Sequence, residues 1–233
     1  MSLPDLAAAG HAALWAALTI AVYLAARRVH ARFLAWWSAP LLLTWTVCLV
    51  ALLAMHVSYR DYMTGAGWLM SLLGPATVAF AIPVYEARGL IARHWRPLAV
   101  GVVTGSALSI GCSALFALWF GFSAETLASL LPRSISTPFA MSVSGELGGV
   151  PGLTASFTAI TGLFGVFVVA PLIRLLGIES EFARGSLLGM GAHGAGVARA
   201  YQFGETAGSI ASVTMILTGL FNVLLASLFV ALA

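Results

Sequence analysis

The sequence predicts an all-α integral membrane protein of about eight membrane segments, several of them discontinuous. Three observations carry that prediction. Hydrophobic residues make up 61% of the chain, charged residues only 8%, and the mean hydropathy is +0.99. A soluble domain needs roughly a quarter of its residues charged to cover a surface that faces water, so this surface faces lipid. The 233 residues divide into apolar runs close to the roughly 20 that a spanning helix needs, which leaves none for a soluble domain. Proline and glycine recur inside several of these runs, where they interrupt a helix.

The runs fall at about 11–26, 38–57, 64–85, 97–120, 134–150, 153–176, 185–204 and 207–232. No basic stretch precedes the first, which therefore reads as a true span and not as a cleaved signal. Arg27, Arg28 and Arg32 follow the first run and Arg88, Arg93 and Arg96 follow the third, so both loops are expected on the cytoplasmic side. If 134–150 crosses fully, both termini lie outside; if it dips in and returns, the C-terminal half inverts. Trp36, Trp37, Trp68 and Trp95 sit at span ends, as interface anchors do. All eleven basic residues are arginine, and their place at segment ends argues against nucleic-acid binding despite a pI near 9.2. Cys48 and Cys112 lie in apolar runs with no second thiol close in sequence, so each reads as a small packing residue.

Glycine divides the chain more sharply than charge. Gly10 is the only glycine before residue 65, and the remainder of the 24 follow it. Residues 1–64 read as a two-helix scaffold, where the contact of an expected homodimer would lie; residues 65–233 read as a glycine-rich, transport-like core. That core repeats. Thr104 in VVTGSALSI, Thr161 in AITGLFGVF and Thr218 in ILTGLFNVL are equally spaced, and each follows a proline- or glycine-broken stretch. The pattern predicts three helical hairpins, each a broken segment followed by an intact helix.

The breaks at Pro75, Pro83 and Pro138, and at Gly189, Gly191, Gly194 and Gly196, free backbone groups that lipid cannot satisfy. They are tolerated where protein or a watery cavity meets them, as at the substrate sites of secondary transporters. Half-helix N-termini there present amides and a positive dipole end to anions. A charge inside a membrane helix costs roughly 2.5–3.5 kcal/mol, so ionisable residues in the core usually face its interior. Those residues are Glu146, His193, Arg199 and Glu205, with Thr77, Thr137, Ser142, Ser144 and Asn222 as neutral partners. Arg199 has the planar fork that pairs two ways with a carboxylate. His193 would donate to a substrate or carry a coupled proton, and Ser142 and Glu146, four apart, would share a helix face. The substrate-binding set expected from this reading is Pro75, Thr77, Thr137, Pro138, Ser142, Glu146, His193, Gly194, Gly196, Arg199 and Glu205. The plainer alternatives are a structural ion pair between Arg199 and Glu205 and an interfacial cap at Glu146.

Other patterns are discounted. Gly189, Gly191 and Gly194 match a dinucleotide fingerprint literally, but no βαβ unit surrounds them. The chain has no H-E-x-x-H and no G-x-S-x-G, so enzyme chemistry, a metal and a cofactor are not expected. Five G-x-x-x-G pairs, among them 101/105 and 185/189, point to close helix packing within the core.

Three stretches carry a family resemblance: SLLGPATVAFAIPVYEARGLI, LPRSISTPFAMSVSGELGGVPGLTASFTAITG and ARGSLLGMGAHGAGVARAYQFGETAGSIASVTMILTG. Together, from about Leu72 to Gly219, they resemble the LrgB/CidB family of bacterial membrane proteins, in the family's order. The first 64 residues match only in being hydrophobic. The resemblance implies a bacterial inner-membrane protein that is antiholin-like, linked to control of murein hydrolase activity and acting with a small LrgA/CidA-type partner. It also implies relatedness to a plastid glycolate/glycerate translocator and to pyruvate movement. The family's usual S-H-G-x-G-T-A-R-A reads here Ala192, His193, Gly194, Ala195, Gly196, Val197, Ala198, Arg199, Ala200, so two hydroxyls are lost. Of the two functions, the rare charges beside broken helices favour carriage of a small organic acid anion, a monocarboxylate, by alternating access.

Overall fold

The structure, a computed structural model, describes residues 3–33 and 38–232, and Trp36 and Trp37 lie outside the described residues. The described chain is all-helical and divides into two compact units, Met1–Pro75 and Ala76–Ala233.

The first unit holds α1 (Leu3–Phe33), α2 (Pro40–Ala54), α3 (Tyr59–Ala66), a 3₁₀ turn (Gly67–Leu72) and the start of α4 (Leu73–Ala79). Pro40 opens α2, where proline forfeits no helical hydrogen bond. None of the fifteen residues of α2 is buried, although nearly all are apolar, as expected of a helix facing lipid. Trp15 of α1 is buried and meets Tyr62 of α3 edge-on at 5.9 Å between ring centroids. The Thr19 hydroxyl shares a 2.9 Å hydrogen bond with the Tyr62 hydroxyl. Ser58 caps α3 by accepting the Asp61 amide at 3.1 Å.

The second unit is built around α11 (Glu205–Leu232), whose buried residues run from Ala207 to Ala226. Around it stand α5 (Ala81–Glu86), α6 (Arg88–Trp119), α7 (Ala124–Leu130), a second 3₁₀ turn (Leu131–Ser134), α8 (Thr137–Glu146), α9 (Pro151–Leu175) and α10 (Glu181–Ala200). Among the described residues, four runs are long and apolar enough to cross a membrane: Tyr59–Glu86, Arg88–Trp119, Pro151–Leu175 and Glu205–Leu232. By contrast α8, ten residues long, spans about 15 Å at 1.5 Å per residue, roughly half of an apolar bilayer core.

That shortfall belongs to a hairpin. Ser123 caps α7, the chain runs through the 3₁₀ turn, and it reverses at Ile135 and Ser136 in extended conformation before α8 leads back. The arms are joined at their open end, where the Ser129 hydroxyl accepts the Val150 amide at 2.8 Å. Gly149 lies so close to the Ala128–Ser129 backbone there that no Cβ would fit. A second hairpin lies within α10. At His193 the backbone takes φ 49° and ψ −130°, and the helix doubles back. Gly196 then rests on the Leu188 carbonyl, Gly204 meets the Glu181 carboxylate, and the Arg184 guanidinium lies over the Phe203 ring at 5.5 Å.

Three close approaches hold the second hairpin between its neighbours. Gly165 of α9 abuts the Gly191 carbonyl, while Gly185 and Gly189 of α10 abut the Ala207 and Ala211 carbonyls of α11. A methyl group at any of these positions would meet backbone, which cannot swing aside. Gly189→Ala is therefore expected to lower stability by about 1–3 kcal/mol in a denaturant titration of the detergent-solubilised protein. Gly111→Ala on α6, where a Cβ meets nothing within 4 Å, should leave the midpoint unchanged or raise it.

Candidate functional site

The two hairpin tips converge. His193 at the tip of α10 faces Gly162 of α9, and the adjacent Thr161 accepts from Arg133 at the tip of the α7–α8 hairpin at 3.4 Å. Leu131, Pro132, Ser134 and Ile135 of the first tip line a narrow pocket there, together with Ser106, Ser109 and Ile110 of α6, Met190 of α10 and Thr218 and Asn222 of α11.

Each wall follows from its helix. Ser106, Ser109 and Ser113 recur at three- and four-residue spacing, so they share the face of α6 that also buries Val102 and Ala117. On α9 the same logic aligns the buried Thr154 and Thr158 with Thr161 and Gly162. Thr218 and Asn222, four apart on α11, are both buried. The Asn222 amide donates to the Ser106 hydroxyl and to the Thr218 carbonyl, each at 2.8 Å, which ties α6 to α11 across the chamber. Ser109 and Ser134 join their hydroxyls in a short hydrogen bond between α6 and the first tip. The Thr218 hydroxyl points to the Met190 sulfur at 3.2 Å, and the Met190 side chain fills the space left by Gly105.

Arg133 is the cation of this region. Its Nε donates to the Ser113 hydroxyl at 3.0 Å and one terminal nitrogen reaches the Thr161 hydroxyl at 3.4 Å. His193 is only 4% exposed, its Nδ1 side faces Gly162, and its Nε2 has no partner among the described residues. The same holds for the hydroxyl of Ser136, the residue before α8.

The residues expected from sequence are only partly gathered here. His193 lies at the second tip, and Gly194 beside it faces open space. Thr137 and Pro138 form the first turn of α8, directly after the first tip, and Gly196 packs inside the second hairpin. Ser142 and Glu146 do share the exposed face of α8, and Glu146 accepts from Ser227 of α11 at 3.2 Å, far from the tips. Arg199 lies near the open end of its hairpin. It hydrogen-bonds Gln202 and stands over the Phe203 ring at 5.5 Å, while Glu205 is exposed in the first turn of α11. Pro75 and Thr77 sit on α4, Pro75 exposed.

The sequence alone does not single out Arg133, which stands just before an apolar run like any other span-end arginine. The available signal was its place between Pro132 and the Ser134–Pro138 stretch, at a predicted break. Of the repeat markers, Thr218 lines the pocket and Thr161 accepts from Arg133 beside it. Thr104, the third marker, is exposed and bonds back to the Val100 carbonyl at 2.7 Å.

Over residues 19–232 the chain matches the profile of the LrgB-like family. The chain belongs to this family. The match reaches well into α1, beyond the motifs that carry the resemblance by eye. It is 41% identical to the uncharacterized protein YwbG of Bacillus subtilis, over 87% of this chain and 90% of the relative. It is 32% identical to the holin-like protein CidB of Staphylococcus epidermidis, over 88% of this chain and 90% of that one. No solved structure matches. Together with its four apolar helices, family membership makes this LrgB-like chain a membrane protein.

The backbone at His193 occupies a region that glycine alone enters without strain. In an ordinary helix alanine is the more stable of the pair, so the order should invert here. His193→Gly is expected to exceed His193→Ala in stability by about 1–2 kcal/mol in matched unfolding titrations.

Proposed function

We propose that the chain works in the bacterial cytoplasmic membrane as a multi-pass, antiholin-like component that controls passage across that membrane and thereby murein hydrolase activity, together with a small holin-like partner. The observation that carries this reading is the similarity to the holin-like protein CidB over nearly the whole of both chains. Exposed apolar faces, such as that of α2, support lateral association within lipid. Deletion of the protein should shift the detergent-induced autolysis rate of the parent cell severalfold, and the intact chain should co-purify with the small partner. Unchanged autolysis in the deletion strain would overturn this function.

A second reading, carriage of a small monocarboxylate such as glycolate, glycerate or pyruvate, is favoured by one observation, the convergence of two hairpin tips on a hydroxyl-lined chamber. In this reading the α7–α8 hairpin followed by α9, and the α10 hairpin followed by α11, are successive copies of one hairpin-plus-helix repeat, and both hairpins are re-entrant. Residues 1–64 are the scaffold of a homodimer against which the core moves. Purified protein in proteoliposomes should take up labelled glycolate or pyruvate saturably. Flux no greater than that of empty vesicles would exclude carriage while leaving the antiholin-like function intact.

A further inference from the structure

We propose that the meeting point of the hairpin tips binds one small monovalent anion, with Arg133 as its cation and His193 as a hydrogen-bonding partner. The site deepens the carriage reading and rests on it for the anion's route, but not for its binding.

Three independent observations point to the same missing negative charge. The partners of the Arg133 guanidinium are hydroxyls, which satisfy donors without neutralising charge. The carboxylates of this unit, Glu86, Glu125, Glu146, Glu179, Glu181 and Glu205, are all exposed, so none supplies a counter-ion inside the core. A half-buried cation in an apolar surrounding is costly unless an anion accompanies it. Next, His193 is more than nine-tenths buried, faces Gly162 next to the Arg133-bound Thr161, and leaves Nε2 without a partner among the described residues. Finally, the buried Ser136 hydroxyl is likewise unpartnered, and it sits at the N-terminus of α8, where free backbone amides and the positive end of the helix dipole favour an anion.

The composition of the site limits its ligand. One arginine matches one negative charge, and its planar fork accepts the two oxygens of a carboxylate. Arg199, the cation that the sequence favours, already holds Gln202 and covers Phe203 near the open end of its hairpin.

Labelled acetate binding to the purified full-length chain in nanodiscs tests the site. One acetate per chain should bind saturably, and unlabelled formate should displace it where acetamide, which has the shape without the charge, does not. Arg133→Gln should weaken binding tenfold or more, Arg133→Lys should restore part of it, and Arg174→Gln, on the exposed end of α9, should change nothing. On the wild-type chain, acetate should slow phenylglyoxal modification of Arg133 and leave that of Arg199 unaltered, which keeps the test decisive if the glutamine variant fails to fold. Absence of saturable binding, protection of Arg199 in place of Arg133, or protection of neither would overturn the site. Binding without flux in proteoliposomes would sink carriage alone, and flux in a chain that binds no acetate at Arg133 would sink the site alone.

Discussion

A helix broken inside an apolar environment exposes backbone amides and carbonyls that lipid cannot satisfy, and the second unit is organised around that constraint. Its two breaks, at Ile135–Ser136 and at His193, are both turned inward onto the same place. The long helices α6, α9 and α11 form the walls that keep them from lipid. This works only because the helices come closer than ordinary side chains permit. Gly165 against Gly191, and Gly185 and Gly189 against Ala207 and Ala211, bring the broken helix into backbone contact with a neighbour on each side.

The interior that results is polar without carrying buried acid. Hydroxyls pair with hydroxyls between elements, as Thr154 does with Ser144 at 2.7 Å, or bond back to their own helix, as Thr158 does with the Thr154 carbonyl at 2.9 Å. Such groups suit a membrane core, since they satisfy one another without the desolvation penalty of a charge. Against this background Arg133 and the strained His193 stand apart. Backbone strain of that kind persists only where surrounding structure enforces it, and here the enforcement comes from α9 and α11 on either side of the turn.

The two proposed functions, antiholin-like and carrier, ask different things of the same fold. Control of a partner's pore needs an apolar exterior that recognises another membrane protein, and the bare face of α2 offers one. Carriage, as proposed, needs an interior that meets a solute, and its place would be the polar groups at the converging tips. The two surfaces are made by different residues, so the functions separate experimentally.

Much of this was written in the sequence, for identifiable reasons. Poverty of charge and runs of apolar residues determine an all-helical membrane protein, because backbone hydrogen bonds in lipid must close within each segment. Glycine and proline mark where helices break, and the motifs around Pro75, Pro138 and His193 carry the resemblance to the LrgB-like family, whose match spans residues 19–232. Local sequence could not rank the charged residues, because Arg133 and Arg199 are the same residue in similar surroundings until the chain folds. Only the tertiary structure decided that α10 doubles back, which carries Arg199 to the open end of its hairpin and His193 to the tip. Only packing between helices brought Ser106, Arg133, Thr161, Thr218 and Asn222, far apart in sequence, around that tip, because which face of a helix turns inward depends on what stands against it.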